Sequence, residues 1–371
     1  MQANRRVLIF LPFLTYGGAE SQGILLAKGL KEQGYKVTVC GFNLPGSNYP
    51  LIAELDQLGI AHYILPFEMS VMPGRKRIVP ALLSFIRYIN RGSFHAVIPF
   101  TFWPNYLTAH AARFIKAQSF WNQRSVDDHV STHAYEKWLP LKQLTFVSNS
   151  IPGKKFLMQR FGLSEKRITI INNGLSEVAP KNTVAYWHQQ LHLQNRAVLI
   201  MVANFFPEKD FATVINGVHL LKQQGISVIC VFVGAGGDAN KRNQVKALAF
   251  DLGLANEIIF TGSCNDVSGL LRACTIGVLS SLSEGCPNSI LEYMQTGLPV
   301  VANNIDAIAD VLGSDYPYLF NSGDANDFAL KVKSLLEDKT VALQTGLALQ
   351  QRVNASFSAK KMIDSFVALL K

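Results

Sequence analysis

The chain has 371 residues, 49% hydrophobic and 16% charged, too apolar and too weakly charged for a disordered segment and long enough for two or three domains. With 27 Gly and 15 Pro it is neither collagen-like nor of low complexity. The apolar run from Val7 to Leu11, extended past Pro12 to Leu14, falls short of the ~20 residues that a spanning helix needs. The net charge of +9 is uneven: residues 1–185 hold 21 Lys and Arg against 10 Asp and Glu, the remainder 14 against 16. A basic half points to an anionic surface or anionic ligands. No nucleic-acid motif accompanies it, which leaves a membrane leaflet, at ~1 kcal/mol per nearby basic residue.

Arg5-Arg6 ahead of an apolar run has the outline of a secretory signal. The run is short, contains Pro12 and ends in Tyr16-Gly17-Gly18-Ala19-Glu20 without a clean A-x-A site, so it is read as a buried first strand, Val7–Pro12. A helix over Ala19–Gln33 follows, with Leu25, Leu26 and Leu30 on one face and Gly34 as its stop. Further strands are predicted at Lys36–Gly41, Ala96–Phe100, Ser119–Asn122, Leu144–Ser148 and Ile168–Ile171. The pattern restarts after a polar stretch from Ser176 to Asn195, with strands at Val198–Ala203, Ser227–Val233, Ile258–Thr261, Ile276–Ser280 and Pro299–Ala302. Helices lie between them, Phe211–Gln223 for example, and a last helix, Ala359–Leu370, has no strand after it. Strands apolar at every position are buried on both faces, as in parallel sheets. The fold class is therefore α/β: two doubly wound Rossmann-like domains facing across a cleft, with a linker near 178–190. Ligands in such sheets bind beyond the carboxyl ends of the strands, so the loops there carry the chemistry. Cys40, Cys230, Cys264, Cys274 and Cys286 are odd in number and never spaced C-x-x-C, as for reduced cytosolic thiols. The eight His form no metal cluster in the sequence.

Four loops stand out. Gly17 and Gly18 open the first helix, where a backbone can approach an anion. After the strand Ser227–Val233 comes Gly234-Ala235-Gly236-Gly237-Asp238-Ala239, which fits the dinucleotide fingerprint G-x-G-x-x-A. That fingerprint wants an acid after the next strand, but here the strand runs into Thr261-Gly262-Ser263-Cys264 with Glu257 ahead of it. A Gly-rich turn lining a nucleotide site is the better reading. In Asn204-Phe205-Phe206-Pro207-Glu208-Lys209-Asp210, Lys209 stands near a helix start, electrostatically misplaced unless a phosphate sits there. The fourth loop is Ser283-Glu284-Gly285-Cys286-Pro287-Asn288, running into Glu292 and on to Gly297-Leu298-Pro299. Pro287 suits the first helical position and Gly297 the stop. Two carboxylates flanking an amide-rich helix start suit a ligand with an anionic centre and hydroxyls on both sides, such as a sugar nucleotide.

At these residues the chain resembles the retaining GT-B glycosyltransferases of family 4. The resemblance spans nearly the whole chain and is carried by the Gly17-Gly18-Ala19-Glu20 loop, Val147-Ser148-Asn149-Ser150, Asn173-Gly174, Pro207-Glu208-Lys209-Asp210, Phe260-Thr261-Gly262 and, most specifically, the E-x7-E segment from Glu284 to Glu292. It implies an amino-terminal acceptor-binding domain over 1–177, a nucleotide-sugar domain over 178–355 and a final helix, 356–371, crossing back. It implies that Glu284 holds donor-sugar hydroxyls and Glu292 the ribose, with Gly285, Cys286, Pro287 and Asn288 facing sugar and phosphates. Lys209 binds the diphosphate, Gly17 and Gly18 approach it from the other domain, and Phe260 and Gly262 lie near the base. No metal or other cofactor is implied, only a nucleotide-sugar co-substrate, with a UDP-sugar favoured. One departure matters: the family usually has Arg five residues before Lys209, where this chain has Asn204, so a phosphate-binding charge is missing unless another cation, Arg242 for instance, stands in. Cys286 also replaces a bulky apolar residue.

Acceptor residues are expected from the first domain: Arg124, Asp127, Asp128, His129 and His133 lie together after a strand. Met69, Val71, Met72 and Pro73, then Arg75-Lys76-Arg77, form an apolar-then-basic stretch fit for a membrane or a polyprenyl diphosphate; Lys154, Lys155 and Arg160 add to the basic face. The expected function is transfer of a hexose or N-acetylhexosamine to a lipid-linked or surface-glycan acceptor, in the cytoplasm at the inner face of the membrane. The alternatives are a sugar-nucleotide epimerase or phosphorylase of the same layout, or a non-catalytic sugar-nucleotide-binding subunit.

Overall fold

The computed structural model describes residues 5–68, 75–126, 136–193 and 196–370. The chain divides into two compact units, unit 1 from residues 1–176 with 358–371 and unit 2 from 177–357.

In unit 1 the order is β1 (Arg6–Phe10), α1 (Gly18–Glu32), β2 (Lys36–Asn43), α2 (Leu51–Gln57), β3 (Ala61–Glu68), α3 (Arg75–Gly92), β4 (Ala96–Pro99), α4 (Phe102–Ala111), β5 (Gln118–Gln123), β6 (Leu144–Ser148), α5 (Ile151–Phe161) and β7 (Ile168–Ile170). Unit 2 continues with α6 (Val184–Gln190), β8 (Ala197–Val202), α7 (Phe211–Gln223), β9 (Val228–Val233), α8 (Ala239–Asp251), β10 (Ile258–Gly262), α9 (Val267–Arg272), β11 (Ile276–Leu279) and α10 (Asn288–Gln295). It ends with β12 (Val300–Asn303), α11 (Asp306–Leu312), β13 (Leu319–Phe320), α12 (Ala325–Glu337) and α13 (Lys339–Ser356). The last helix, α14 (Ala359–Leu369), belongs to unit 1.

Among the described residues the strands form two sheets, ordered β3-β2-β1-β4-β5-β6-β7 and β10-β9-β8-β11-β12-β13. All their ladders are parallel. In each sheet the order of the strands reverses once, between β1 and β4 in the first and between β8 and β11 in the second, which puts a switch point at the carboxyl ends of those strands. The apolar runs are buried on both faces as their composition requires: Val7 to Phe10 and all of β9 are buried. In unit 1 one face of the sheet packs under α1 and α14 through Leu26, Leu30, Phe120, Met362 and Phe366, and the other under α3 and α4 through Phe10, Phe42, Phe85 and Leu107. α14 is pinned to that sheet, its Leu369 carbonyl accepting from Gln118 Nε2 at 2.8 Å.

The differences from the sequence reading have simple causes. Predicted strand ends shift by one or two residues. β3 was not foreseen because it is an edge strand, only partly buried, with Pro66 inside it; β13 is two residues long. The segment read as a linker near 178–190 is not open chain. It forms α6 and docks on unit 2 through Asp266, whose carboxylate accepts from the amides of Lys181 and Asn182 at 2.9 Å each, from Asn182 Nδ2 at 3.0 Å and from Trp187 Nε1 at 3.3 Å. Burial alone would raise the Asp266 carboxyl, but these bonds and one from the Gly269 amide outweigh it and hold the group below the usual carboxylate range.

Candidate functional site

In unit 2 the loops after β8 and β11 open side by side at the switch point. They are sewn together by Asp210 N donating to Ser280 O at 2.9 Å, Ser280 Oγ to Asp210 Oδ2 at 3.0 Å and Leu282 N to Glu208 O at 2.7 Å. Asp210 also caps α7, accepting from Thr213 N at 3.2 Å. Asn303, at the end of β12, fixes Ser281 through both backbone groups, at 2.9 and 2.7 Å.

On this frame Lys209 Nζ and Glu284 Oε1 form an ion pair, 19% and 11% exposed. Ser281 Oγ donates to the same carboxylate oxygen at 2.8 Å, so Glu284 is held from two sides with Oε2 left over. Glu292 projects from the second turn of α10 and is half-buried. Among the described residues no group hydrogen-bonds its carboxyl, and burial pushes it up to about 7. The neighbouring Tyr293 locks the helix: its hydroxyl accepts from Val202 N at 2.7 Å. Its ring packs so closely on β11 that a Cβ at Gly277 would lie 2.4 Å from it. α10 begins at Asn288, so Pro287 is the cap rather than the first helical residue, and Cys286 ahead of it is buried.

The Gly-rich turn after β9 stands against the same loop. Gly234 has φ +155° and a Cβ there would meet Ala203 O at 2.1 Å, so only glycine fits. The Asn204 side chain accepts from Gly236 N at 3.0 Å. It spends its amide on the turn, a role the sequence did not suggest. Arg242, named above as a stand-in cation, donates to Ala235 O in that turn at 3.2 Å. Gly262 O accepts from Gly234 N at 2.9 Å, and Phe260 is half-buried with Lys246 Nζ 5.5 Å from its ring centroid. The structure thus brings together Asn204, Lys209, Glu284 and the turn, with Phe260 and Gly262 at the adjoining strand end.

In unit 1, Gly17 precedes α1 and Gly18 is its first residue. Burial raises Glu20, in the same turn, to about 7 against the pull of its backbone hydrogen bond. Arg124 is buried, its guanidinium 5.0 Å from the centre of the Phe100 ring and Nη2 donating to Asn173 Oδ1 at 2.5 Å. Asn149 Nδ2 donates to that same oxygen at 3.3 Å. The fully buried side chain of Asn122 has no hydrogen-bond partner among the described residues. The sequence signal for this polar centre was polar residues at and just past strand ends: Asn122 and Arg124 at the end of β5, and Asn149 just after β6. Asp127, Asp128, His129 and His133 lie outside the described residues, as do Met69, Val71, Met72 and Pro73. Of the basic residues named above, Lys154 pairs with Glu165 and Arg160 with Glu136, both at 2.9 Å.

Two family models match, one described as Glycosyltransferase Family 4 over residues 16–177 and one as Glycosyl transferases group 1 over residues 185–354. The chain belongs to the family 4 type of glycosyltransferases. Its fold is that of GT-B enzymes: a glycosyltransferase from Rickettsia africae superposes with a TM-score of 0.82 at 21% identity over 99% of this chain and 98% of that one. Anabaena HepE, solved with UDP and glucose, superposes at 0.81 with 18% identity over 99% of both chains. An Escherichia coli protein named UDP-Gal:alpha-D-GlcNAc-diphosphoundecaprenol alpha-1,3-galactosyltransferase is 26% identical over 62% of this chain and 61% of its own length. The chain spans about half to three-fifths of the first curated relatives it matches. No helix among the described residues is long and apolar enough to cross a membrane.

Proposed function

We propose that this protein is a retaining glycosyltransferase that moves a hexose or N-acetylhexosamine from a UDP-sugar to a lipid-linked or cell-surface glycan acceptor at the inner face of the cytoplasmic membrane. The observation that carries the reading is the Lys209–Glu284 pair, with the unpartnered Glu292 carboxyl on the adjoining helix, at the switch point of unit 2. Lys209 receives the diphosphate, Glu284 Oε2 a donor-sugar hydroxyl, and Glu292 the ribose. The bond from the sugar's anomeric carbon to the diphosphate breaks with its electron pair leaving on the phosphate oxygen. The acceptor oxygen bonds to the same face, and its proton passes to that departing oxygen. Charge on the leaving group is met by Lys209 and backbone amides, which in a water-poor site are worth several kcal/mol. The lipid-linked acceptor is supported by the name of the Escherichia coli relative, and the membrane surface by the basic amino-terminal half.

A thermal-shift panel of UDP, GDP, ADP and CMP with their sugars tests the donor. A ligand at 100 times its dissociation constant adds ~2.7 kcal/mol, and UDP compounds alone are expected to register. Glu284→Ala is then expected to abolish transfer while the variant stays folded; full activity would refute the assignment. Because Asn204 adds no charge, a non-catalytic sugar-nucleotide-binding subunit is the second reading, and it predicts donor binding without turnover on any acceptor.

A further inference from the structure

Unit 1 holds a cavity of about 660 Å³ that the reading above leaves unused. It lies at the amino edge of the sheet, away from the carboxyl-end loops: Arg6 opens β1, Phe94 precedes β4, and Arg87, Tyr88 and Arg91 lie on the last turns of α3. Tyr63 of β3 stacks on Tyr88 with ring centroids 4.4 Å apart and planes 10° from parallel. The Arg6 guanidinium lies 5.0 Å from the centre of the Phe94 ring.

We infer that this cavity is a second ligand site, one that binds a phosphoryl group carried on a compact organic moiety. Three arginines line it and no acidic residue does. Among the described residues none of the three has a carboxylate within ion-pair distance. Like charges gathered without a counter-charge repel each other, and an anion relieves that. Guanidinium forks match the tetrahedral oxygens of a phosphoryl group in pairs, which a point charge does not. The flat Tyr63–Tyr88 wall receives the carbon part of the ligand, and the volume is in the usual range for small-ligand sites, ~300–1,000 Å³. On the same helix, Val79 and Leu83 are exposed at 56% and 47%, one turn apart and leading toward Arg87. A lipid headgroup and a soluble phosphate ester share this chemistry.

The test uses the full chain, wild type and the variants Arg87→Gln/Arg91→Gln and Arg87→Lys/Arg91→Lys, all on an exposed helix face. One arm measures sedimentation with phosphatidylcholine vesicles holding about 30% phosphatidylglycerol, near 0.1 M salt. The other titrates glycerol 3-phosphate by calorimetry. The glutamine variant is expected to bind about tenfold more weakly, and the lysine variant several-fold more weakly because the forks are gone, at an unchanged melting temperature. Loss in the vesicle arm assigns the site to a lipid headgroup, and loss in the glycerol phosphate arm alone assigns it to a soluble ester. Wild type binding neither probe, or lysine variants binding as wild type does, overturns the inference. UDP binding, read in the same samples, is independent of it, so a failure of the donor assignment shows separately.

Discussion

Glu292 is both the carboxyl assigned to the ribose and a strain on the empty protein, and Glu292→Gln separates the two. Burial lifts its carboxyl from 4.5 to about 7. At 1.36 kcal/mol per unit, that is a penalty of at most about 3 kcal/mol for keeping the group ionised in the folded chain. The sign follows from linkage: between pH 4.5 and 7 the folded state binds more protons here than the unfolded one, so this group's contribution falls as pH rises and levels off above about 7. Glutamine does not titrate. The variant is expected to match wild type near pH 4.5 and to exceed it by roughly 1–3 kcal/mol at pH 8, a rise of several degrees at ~2–4 °C per kcal/mol for a chain segment of this size. Thermal melts from pH 4.5 to 8, read as variant minus wild type, cancel the similar slope from Glu20. The same melts with UDP are expected to show a smaller nucleotide-induced shift in the variant. A difference that does not change with pH refutes the held-proton argument. An undiminished UDP shift refutes the ribose assignment.

Asp266→Asn is expected to cost about 1–2 kcal/mol at pH 7, where its acceptor bonds are intact. Because the folded carboxyl sits below its ordinary range, that contribution is present above the unfolded value and is lost as pH falls through the folded one, so the gap to wild type closes in strong acid. Tyr293→Phe strands the Val202 amide and is expected to lower stability by about 1–2 kcal/mol, measured by urea unfolding. Asn204→Ala removes the support of the Gly-rich turn, and is expected to weaken UDP binding several-fold while changing stability by no more than about 1 kcal/mol.

The doubly wound pattern was legible because parallel strands buried on both faces must be apolar throughout, as Val7 to Leu11 and Val228 to Val233 are. The edge strand Ala61–Glu68 was not, because a half-exposed strand carries no such run. The loops that carry Lys209 and Glu284 were legible as strand-to-helix turns, since Gly and Pro punctuate the sequence around them. What could not be read was pairing in space. Nothing in the sequence joins Lys209 to Glu284, which lie 75 positions apart, or turns the Asn204 amide onto Gly236. Likewise the linker was misread because a polar stretch looks solvated until the carboxylate that gathers its amides, Asp266, is found far along the chain.

The charges at the switch point have to be counted together. Lys209 and Glu284 cancel in the empty protein, and Asn204 adds none. Among the described residues Arg242, on α8, reaches the Gly-rich turn and makes no ion pair. Arg242 spends one hydrogen bond on the Ala235 carbonyl, which directs the guanidinium without neutralising it. The turn therefore sets where that charge stands, and Asn204 sets where the turn stands, through Gly236. A residue that carries no charge thus governs the placement of one. Asn204→Ala leaves every charge of the site in place and removes only that support, so a loss of diphosphate affinity in this variant reads out positioning, where Lys209 substitutions would confound it with the stranded Glu284.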